Sequence, residues 1–336
     1  MNITAVAMKA RVSTATVSRT INGSATVKPK TAERVRRAIE ALSFYPDVNA
    51  RALGSGRSSL YGLIISDITN PFFPELVRAF EEVAVEHKQE VLIANTNYDK
   101  ARMETCVIRM LQRKVDGVAI MTSEMDDRLI KVFSCRHIPL VLLDTGSPVP
   151  GVSSVRFDYR SGVVAAMDHL VSLKHSKIAF ISGPLTLASA QVRFSSFTET
   201  MAQHDLTSPK RMITEGNHRV DGGHRAMKRI LSGKVLPTAV MCSNDLTAIG
   251  AMSAIFERGL RVPEDISVVG YDDIQLAAHT HPSLTTLRLP RTELANRAFH
   301  SLFGKRSADR KTLPMGETHV FHPELIVRKS TGRRKA

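Results

Sequence analysis

What the chain lacks narrows its class first. No apolar run could cross a bilayer: the longest, such as residues 91–94 and 138–143, fall far short of the roughly 20 residues a spanning helix needs. The N-terminus carries no apolar signal region, which argues against export. Cysteine is scarce, and Cys106, Cys135 and Cys242 stand singly. That pattern suits a reducing cytoplasm and supplies no metal motif. P-loop, HExxH, GxSxG and CxxC motifs are all missing, so neither an enzyme nor a bound cofactor is expected. His279-Thr280-His281 is a loop pair without further ligands, short of the four that structural zinc takes, so no metal is expected. Residues 54–59 are glycine-rich but precede a strand instead of following one, which excludes a phosphate cradle. No leucine heptad leads to the C-terminus, so no coiled coil is encoded there.

What is present is a basic head on a larger body. The 336 residues are 43% hydrophobic, enough for two or three domains with sizeable cores. Net charge is +14. Residues 1–60 hold ten Lys/Arg against three Asp/Glu, so half the excess sits in less than a fifth of the chain. Charge concentrated this way points to a polyanion, because Lys and Arg displace counterions from phosphate.

The most informative stretch is Ala10-Arg11-Val12-Ser13-Thr14-Ala15-Thr16-Val17-Ser18-Arg19-Thr20-Ile21-Asn22-Gly23. It reads as the turn and recognition helix of a helix-turn-helix. Ser13 can cap the helix, Val17 and Ile21 give it one buried stripe, and Asn22-Gly23 stops it. Thr14, Ala15, Ser18 and Arg19 then face outward. Arginine is the side chain best suited to a guanine edge or a phosphate. A first helix, capped by Asn2, buries Ile3, Val6 and Ala7. A third runs from about Pro29 to Leu42, with Val35, Ile39 and Leu42 as its stripe. Asp47 can cap a short segment over 48–53, and residues 54–59 form a flexible linker.

From Leu60 the texture changes to apolar strands alternating with helical patterns. Strands are predicted over 60–66, 91–96, 117–121 and 140–143, then over 178–182, 211–215, 239–242 and 266–269. Uniformly apolar strands with helices between them indicate parallel sheets covered on both faces. Two such series indicate two similar lobes. The last residues, Gly332-Arg333-Arg334-Lys335-Ala336, read as a frayed basic tail.

This organisation resembles the LacI/GalR family of transcriptional regulators over essentially the whole chain. The head motif carries the resemblance most specifically, followed by Tyr45-Pro46. Body blocks agree in order and spacing: Asp67-Ile68-Thr69-Asn70-Pro71-Phe72-Phe73, Val115-Asp116-Gly117-Val118, Ser243-Asn244-Asp245, and Asp265-Ile266-Ser267-Val268-Val269-Gly270-Tyr271-Asp272-Asp273. Pro282-Ser283-Leu284-Thr285-Thr286 and Val327-Arg328-Lys329-Ser330-Thr331 also match. The resemblance implies an all-α helix-turn-helix head over 1–46, a hinge helix and linker over 47–59, and a two-lobed, periplasmic-binding-protein-like α/β body over 60–329. The first lobe would comprise about 60–159 and 290–318, the second about 160–289 and 319–329, with a basic tail over 330–336. It further implies a cytoplasmic homodimer that represses transcription from a near-palindromic operator. Thr4, Ser13, Thr14, Ala15, Thr16, Ser18, Arg19, Asn22 and Ala50 would face DNA. Leu53 would wedge into the minor groove and kink the duplex.

In the family a small-molecule effector binds between the lobes, where the carboxyl ends of parallel strands meet. The matching positions are Ser66, Asn70, Phe72, Phe73, Asp144, Arg193, His218, Asn244 and Asp272. A carboxylate, an amide and an arginine fork can hold the hydroxyls of a sugar or sugar derivative, and the phenylalanines can supply a flat wall. Carbohydrate-related genes are the expected targets. Bland alternatives stay open: one phenylalanine as core, Arg193 and Asp272 as an ion pair, Asp273 as solvated or part of a hinge. His218 stands where relatives carry a stacking aromatic, and it can stack or hydrogen-bond. Arg11 replaces the usual glycine of the turn, Ala5 the usual acid of the first helix, and Asp47 the usual asparagine before the hinge. The two-lobed body alone would also suit a solute-binding protein of a transport system; a sugar-modifying enzyme would need a catalytic constellation that the sequence lacks.

Overall fold

Local signals fix the ends of the head helices. A computed structural model describes residues 2–21, 23–45, 57–122, 125–144, 148–305 and 312–334. Asn2 caps α1 (Ile3–Ala10), its Oδ1 accepting from the Ala5 N–H at 3.1 Å. Ser13 caps α2 (Thr14–Ile21), its Oγ accepting from the Thr16 N–H at 3.2 Å. Pro29 opens α3 (Pro29–Ala41), where its missing N–H has no partner to lose. Val6, Ala7, Ala10, Val17, Val35 and Ala38 close into one small core, with Ile3, Ile21, Ile39 and Leu42 packed at its margin. Arg11 makes the turn between α1 and α2 at φ 53°, ψ 53°. A left-handed residue with a Cβ costs ~1 kcal/mol, so replacing glycine here carries a real backbone cost. Asn22, Ala50, Leu53 and the expected hinge helix lie outside the described residues.

The chain divides into two units, Met1–Ser59 and Leu60–Ala336. The body is built on two parallel sheets. The first joins β1 (Leu60–Ile65), β2 (Glu90–Asn95), β3 (Gly117–Met121), β4 (Leu140–Leu143), β5 (Val152–Phe157) and β11 (Thr318–Phe321), in the spatial order β11-β5-β4-β3-β1-β2. Tyr61, Leu63 and Ile65 point to one face and Ile64 to the other, and both faces are buried under helices. Those helices include α4 (Phe72–Glu86), α5 (Lys100–Gln112) and α6 (Asp127–Ser134). The second sheet has the order β7-β6-β8-β9, from β6 (Ile178–Ser182), β7 (Ile213–Glu215), β8 (Ala239–Cys242) and β9 (Ser267–Val269). Around it lie α7 (Tyr159–Ser172), α8 (Ala188–Gln203), α9 (Val220–Leu231) and α10 (Asp245–Glu257).

The chain crosses between lobes after β5. It returns through β10 (Thr286–Arg288) into α11 (Arg291–Leu302), which packs on α4. It crosses again after β11, and β12 (Glu324–Ile326) pairs antiparallel with β10. Asp273 pins these passages together: its carboxylate accepts from Arg288 Nε at 2.7 Å and Arg328 Nη2 at 2.6 Å. It is buried and hinge-bound, not solvated.

Several boundaries differ from the sequence reading, most by a single residue, and three differences have a structural cause. The strand expected over 211–215 begins only at Ile213, because Lys210–Met212 forms a 3-10 turn after Pro209. The first lobe ends at Phe321, not 318, because all of β11 pairs with β5. Residues 330–334 are not frayed. Sheet edge β9 needs partners for its backbone, and the tail supplies them: the Val268 N–H donates to Ser330 O at 2.8 Å, and Ser330 Oγ donates to Val268 O at 2.6 Å. The Gly332 N–H donates to Ser267 Oγ at 3.1 Å, and the Arg334 N–H to Leu173 O at 3.0 Å. Among the described residues no helix is long and apolar enough to cross a membrane.

Candidate ligand cleft and nucleic-acid interface

On the head, the side of α2 away from the core is open. Thr4, Ser13, Thr14, Ala15 and Arg19 are exposed, while Thr16 and Ser18 are half-buried. Thr16 also serves the cap, its Oγ1 lying 2.9 Å from Ser13 Oγ. Core packing uses the face of Val17 and Ile21, and the exposed Arg19 stands on the opposite face.

In the body, one cavity collects Ser66, Asn70, Phe72, Phe73, Asp144, Arg193, His218, Asn244 and Asp272. These side chains come from both lobes and from strand ends far apart in sequence. Asn70 Oδ1 accepts from the Phe72 N–H at 3.2 Å and so shapes the start of α4. The rings of Phe72 and Phe73 meet edge to face at 5.2 Å. Both are buried and both line the cavity, so the core and wall readings hold together.

Asp144 sits at φ 55° and accepts from the Phe157 N–H at 3.0 Å and from the Tyr159 hydroxyl. Burial raises its pKa, against the pull of those two bonds. Arg193 is buried between two rings, its guanidinium 4.0 Å from the Tyr271 centroid and 4.6 Å from that of Tyr159. Its Nη1 donates to Ser243 O, while its buried Nε has no partner. No ion pair joins it to Asp272 among the described residues, so the ion-pair alternative is not what forms. Burial pushes the Asp272 carboxyl up to about 7, with the charges of Arg193 and Arg291 opposing.

Asn244 is half committed to the scaffold. Its Oδ1 caps α10 by accepting from the Thr247 N–H at 2.9 Å, and its Nδ2 donates to His218 O at 3.0 Å. His218, at φ 59°, is buried with no partner for Nε2. Burial, then the charge of Arg193, pushes its pKa down to about 3, so the ring is neutral at physiological pH. The ring lies directly on Gly183, where an added Cβ would fall 1.9 Å from Nε2. Only glycine leaves room for it.

Sequence reasoning missed Tyr98, Thr122, Phe157, Tyr159, Leu187 and Ser189, which line the same cavity. Ser189 stands one helical turn before Arg193 on α8, a spacing that could have found it. Tyr159 follows Asp158, which caps α7, but β5 before it was not recognised. Taken together, the cavity offers an apolar wall, one fixed cation, a carboxyl that exchanges its proton near neutrality, and a neutral imidazole. Such a set can orient a small molecule with hydroxyl or ring N–H groups against a flat surface. Among the described residues no three His, Cys, Asp or Glu side chains group as metal ligands would.

Comparison with known proteins adds to this geometry. Residues 2–47 match the model of "Bacterial regulatory proteins, lacI family", and residues 167–331 that of a periplasmic binding protein-like domain. The chain is 34% identical over 331 residues to the HTH-type transcriptional repressor PurR of Mannheimia succiniciproducens, covering 97% of each. Among solved structures it is similar to the lac repressor dimer bound to operator and the anti-inducer ONPF, with a TM-score of 0.84, 29% identity and 99% of both chains covered. It is also similar to a complex of the transcriptional regulator CelR with cellobiose, with a TM-score of 0.71, 27% identity, and 98% and 99% covered.

Proposed function

The chain belongs to the lacI family of bacterial regulatory proteins, and from there we propose that a sugar or sugar derivative held between its lobes sets how tightly it grips operator DNA. It is a ligand-responsive, DNA-binding transcriptional repressor. Carbohydrate-related genes are its targets in this reading, and two heads of a homodimer meet the halves of a near-palindromic site. The observation that carries the ligand reading is the convergence of Asp144, Arg193, His218, Asn244 and Asp272 with Phe72 and Phe73 on one cavity. A ligand there controls DNA binding only by preferring one lobe arrangement over another. The transport alternative falls, because residues 2–47 form a lacI-family domain and the matched PurR is a repressor along nearly its whole length.

A second reading has its own support. Apolar side chains such as Phe72, Phe73, Phe157, Leu187 and Leu289 make up much of the wall, which favours a planar heterocycle over a polyol. Calorimetry on the full chain with monosaccharides, disaccharides, their phosphates and free nucleobases separates the two. Gel shifts with DNA from the neighbourhood of its gene then test each binder. A saccharide that binds and changes the shift supports the first reading. Nucleobase binding without saccharide binding moves the assignment to the second, and binders that never alter the shift refute ligand control.

A further inference from the structure

One charged contact joins the lobes beside the cavity. Arg219, the residue before α9, reaches from the second lobe to Asp67 of the first. Its Nη2 lies 2.8 Å and its Nε 3.2 Å from Asp67 Oδ2, and the same Nη2 donates to Asn97 Oδ1 at 2.9 Å. The other Asp67 oxygen, Oδ1, is occupied by the N–H and hydroxyl of Thr69 at 2.9 and 2.6 Å. The carboxylate is thus fully satisfied, and only 3% of the residue is exposed.

Placement distinguishes this contact from an ordinary surface pair. Asp67 follows Ser66, Asn97 precedes Tyr98, and Arg219 follows His218. Each member is the chain neighbour of a residue that lines the cavity. Any motion of the cavity wall at His218 is therefore transmitted through one peptide bond to Arg219. The Arg219 N–H is itself fixed, donating to Asn217 Oδ1 at 3.0 Å. Other polar ties between the lobes lie beside the crossing segment: the Gln275 N–H donates to Glu75 at 3.1 Å, and Arg291, paired with Glu75, donates to the Asp272 and Asp273 carbonyls.

We propose that Arg219 is a positioning residue that latches the lobes together at the rim of the ligand cleft, through Asp67 and Asn97. The latch forms only when the lobes meet, and it holds His218 where a ligand finds it. Nearly half of the Arg219 side chain stays in water, so the contact is modest and reversible, as a switch requires. Its link to ligand recognition rests on the cleft reading above. Its existence as a latch does not, because it can be observed without any ligand.

The test measures the lobe-to-lobe distance by pulsed electron paramagnetic resonance on the full, ligand-free chain. One spin label goes on Cys135, the exposed native cysteine, and the other on the variant Lys234→Cys in the second lobe; Cys106 and Cys242 are buried and stay unlabelled. Labelled protein is diluted with unlabelled protein. At low salt the parent should show one narrow distribution. Arg219→Gln should raise the longer-distance population at least about threefold, and 1 M NaCl should move the parent the same way by screening the pair. Arg219→Lys, which keeps the charge but loses the fork, should fall between. Unfolding midpoints within about 2 °C of the parent show that the variants are folded. Identical distributions for parent and Arg219→Gln at low salt would overturn the latch, whatever the effector proves to be.

Discussion

Substituting Gly183 by alanine in two backgrounds tests the cleft wall without knowledge of any ligand. In the native background the new methyl would fall 1.9 Å from His218 Nε2, 2.3 Å from Cε1 and 2.6 Å from Cδ2. No rotamer adjustment of the methyl exists, so the ring or the backbone must move. Overpacking of this kind costs about 1–3 kcal/mol. Gly183 is not among the glycines with positive φ, so alanine suits its backbone. In the background of His218→Ala the imidazole is gone and the methyl enters vacated space. There the substitution should be neutral, or stabilising by roughly 0.5 kcal/mol through the unfolded chain. The double-mutant cycle should therefore show a coupling of about 1–3 kcal/mol, the pair being more stable than the sum of the singles. Denaturant unfolding of the full chain reads this directly, and for a body of this size each kcal/mol moves the thermal midpoint by roughly 2–4 °C. Additive effects within about 0.5 kcal/mol would refute the contact between Gly183 and His218 and the wall derived from it.

Three further outcomes follow from the site and the head. Arg193→Ala should weaken binding of whichever saccharide or nucleobase the calorimetric panel identifies by more than tenfold, about 2–5 kcal/mol for one member of a buried polar set. Gel shifts on the same variant should be retained, and loss of both activities would mark Arg193 as structural. Arg19→Ala should cost ~1–3 kcal/mol of operator binding by fluorescence anisotropy, and unchanged affinity would remove that residue from the interface. The third concerns pH: burial pushes Asp272 up to about 7, so the folded chain holds a proton that the unfolded chain releases near 3.8. Stability from this group is full below about pH 4 and is lost as pH rises through 7. Asp272→Asn should abolish that loss, worth up to roughly 4 kcal/mol. Thermal midpoints of parent and variant that run parallel from pH 4 to 8 would contradict it.

The elements most legible in the sequence were those with local causes. Caps at Asn2 and Ser13 need only a polar residue before an apolar stripe, and β1, β3, β6 and β8 are short apolar runs buried on both faces. Ligand-cleft residues were legible through the family resemblance, and they fall in the segments that follow such strands. What stayed hidden depends on partners distant in the chain. β5 reads Val-Ser-Ser-Val-Arg-Phe, and its serines are buried only because β4 and β11 flank it. The Asp67–Arg219 pair spans 152 positions and leaves no trace in either neighbourhood. The C-terminal segment looked frayed from its charge, yet its backbone satisfies a sheet edge, which composition cannot report.

The order of the strands has a consequence for synthesis. β11 is the outer strand of the first sheet, but it emerges from the ribosome 161 residues after β5, the strand it covers. At 5–20 residues per second that interval is roughly 8–32 s, during which most of the second lobe is made. Throughout it, β5 presents an open row of backbone donors and acceptors. An uncovered sheet edge is a template for pairing with another chain. Nascent chains crowded on one message therefore carry this open edge from the middle of translation almost to its end. A product terminated anywhere between residues 158 and 317 retains that edge for good, which makes such fragments the ones a cell must capture or degrade.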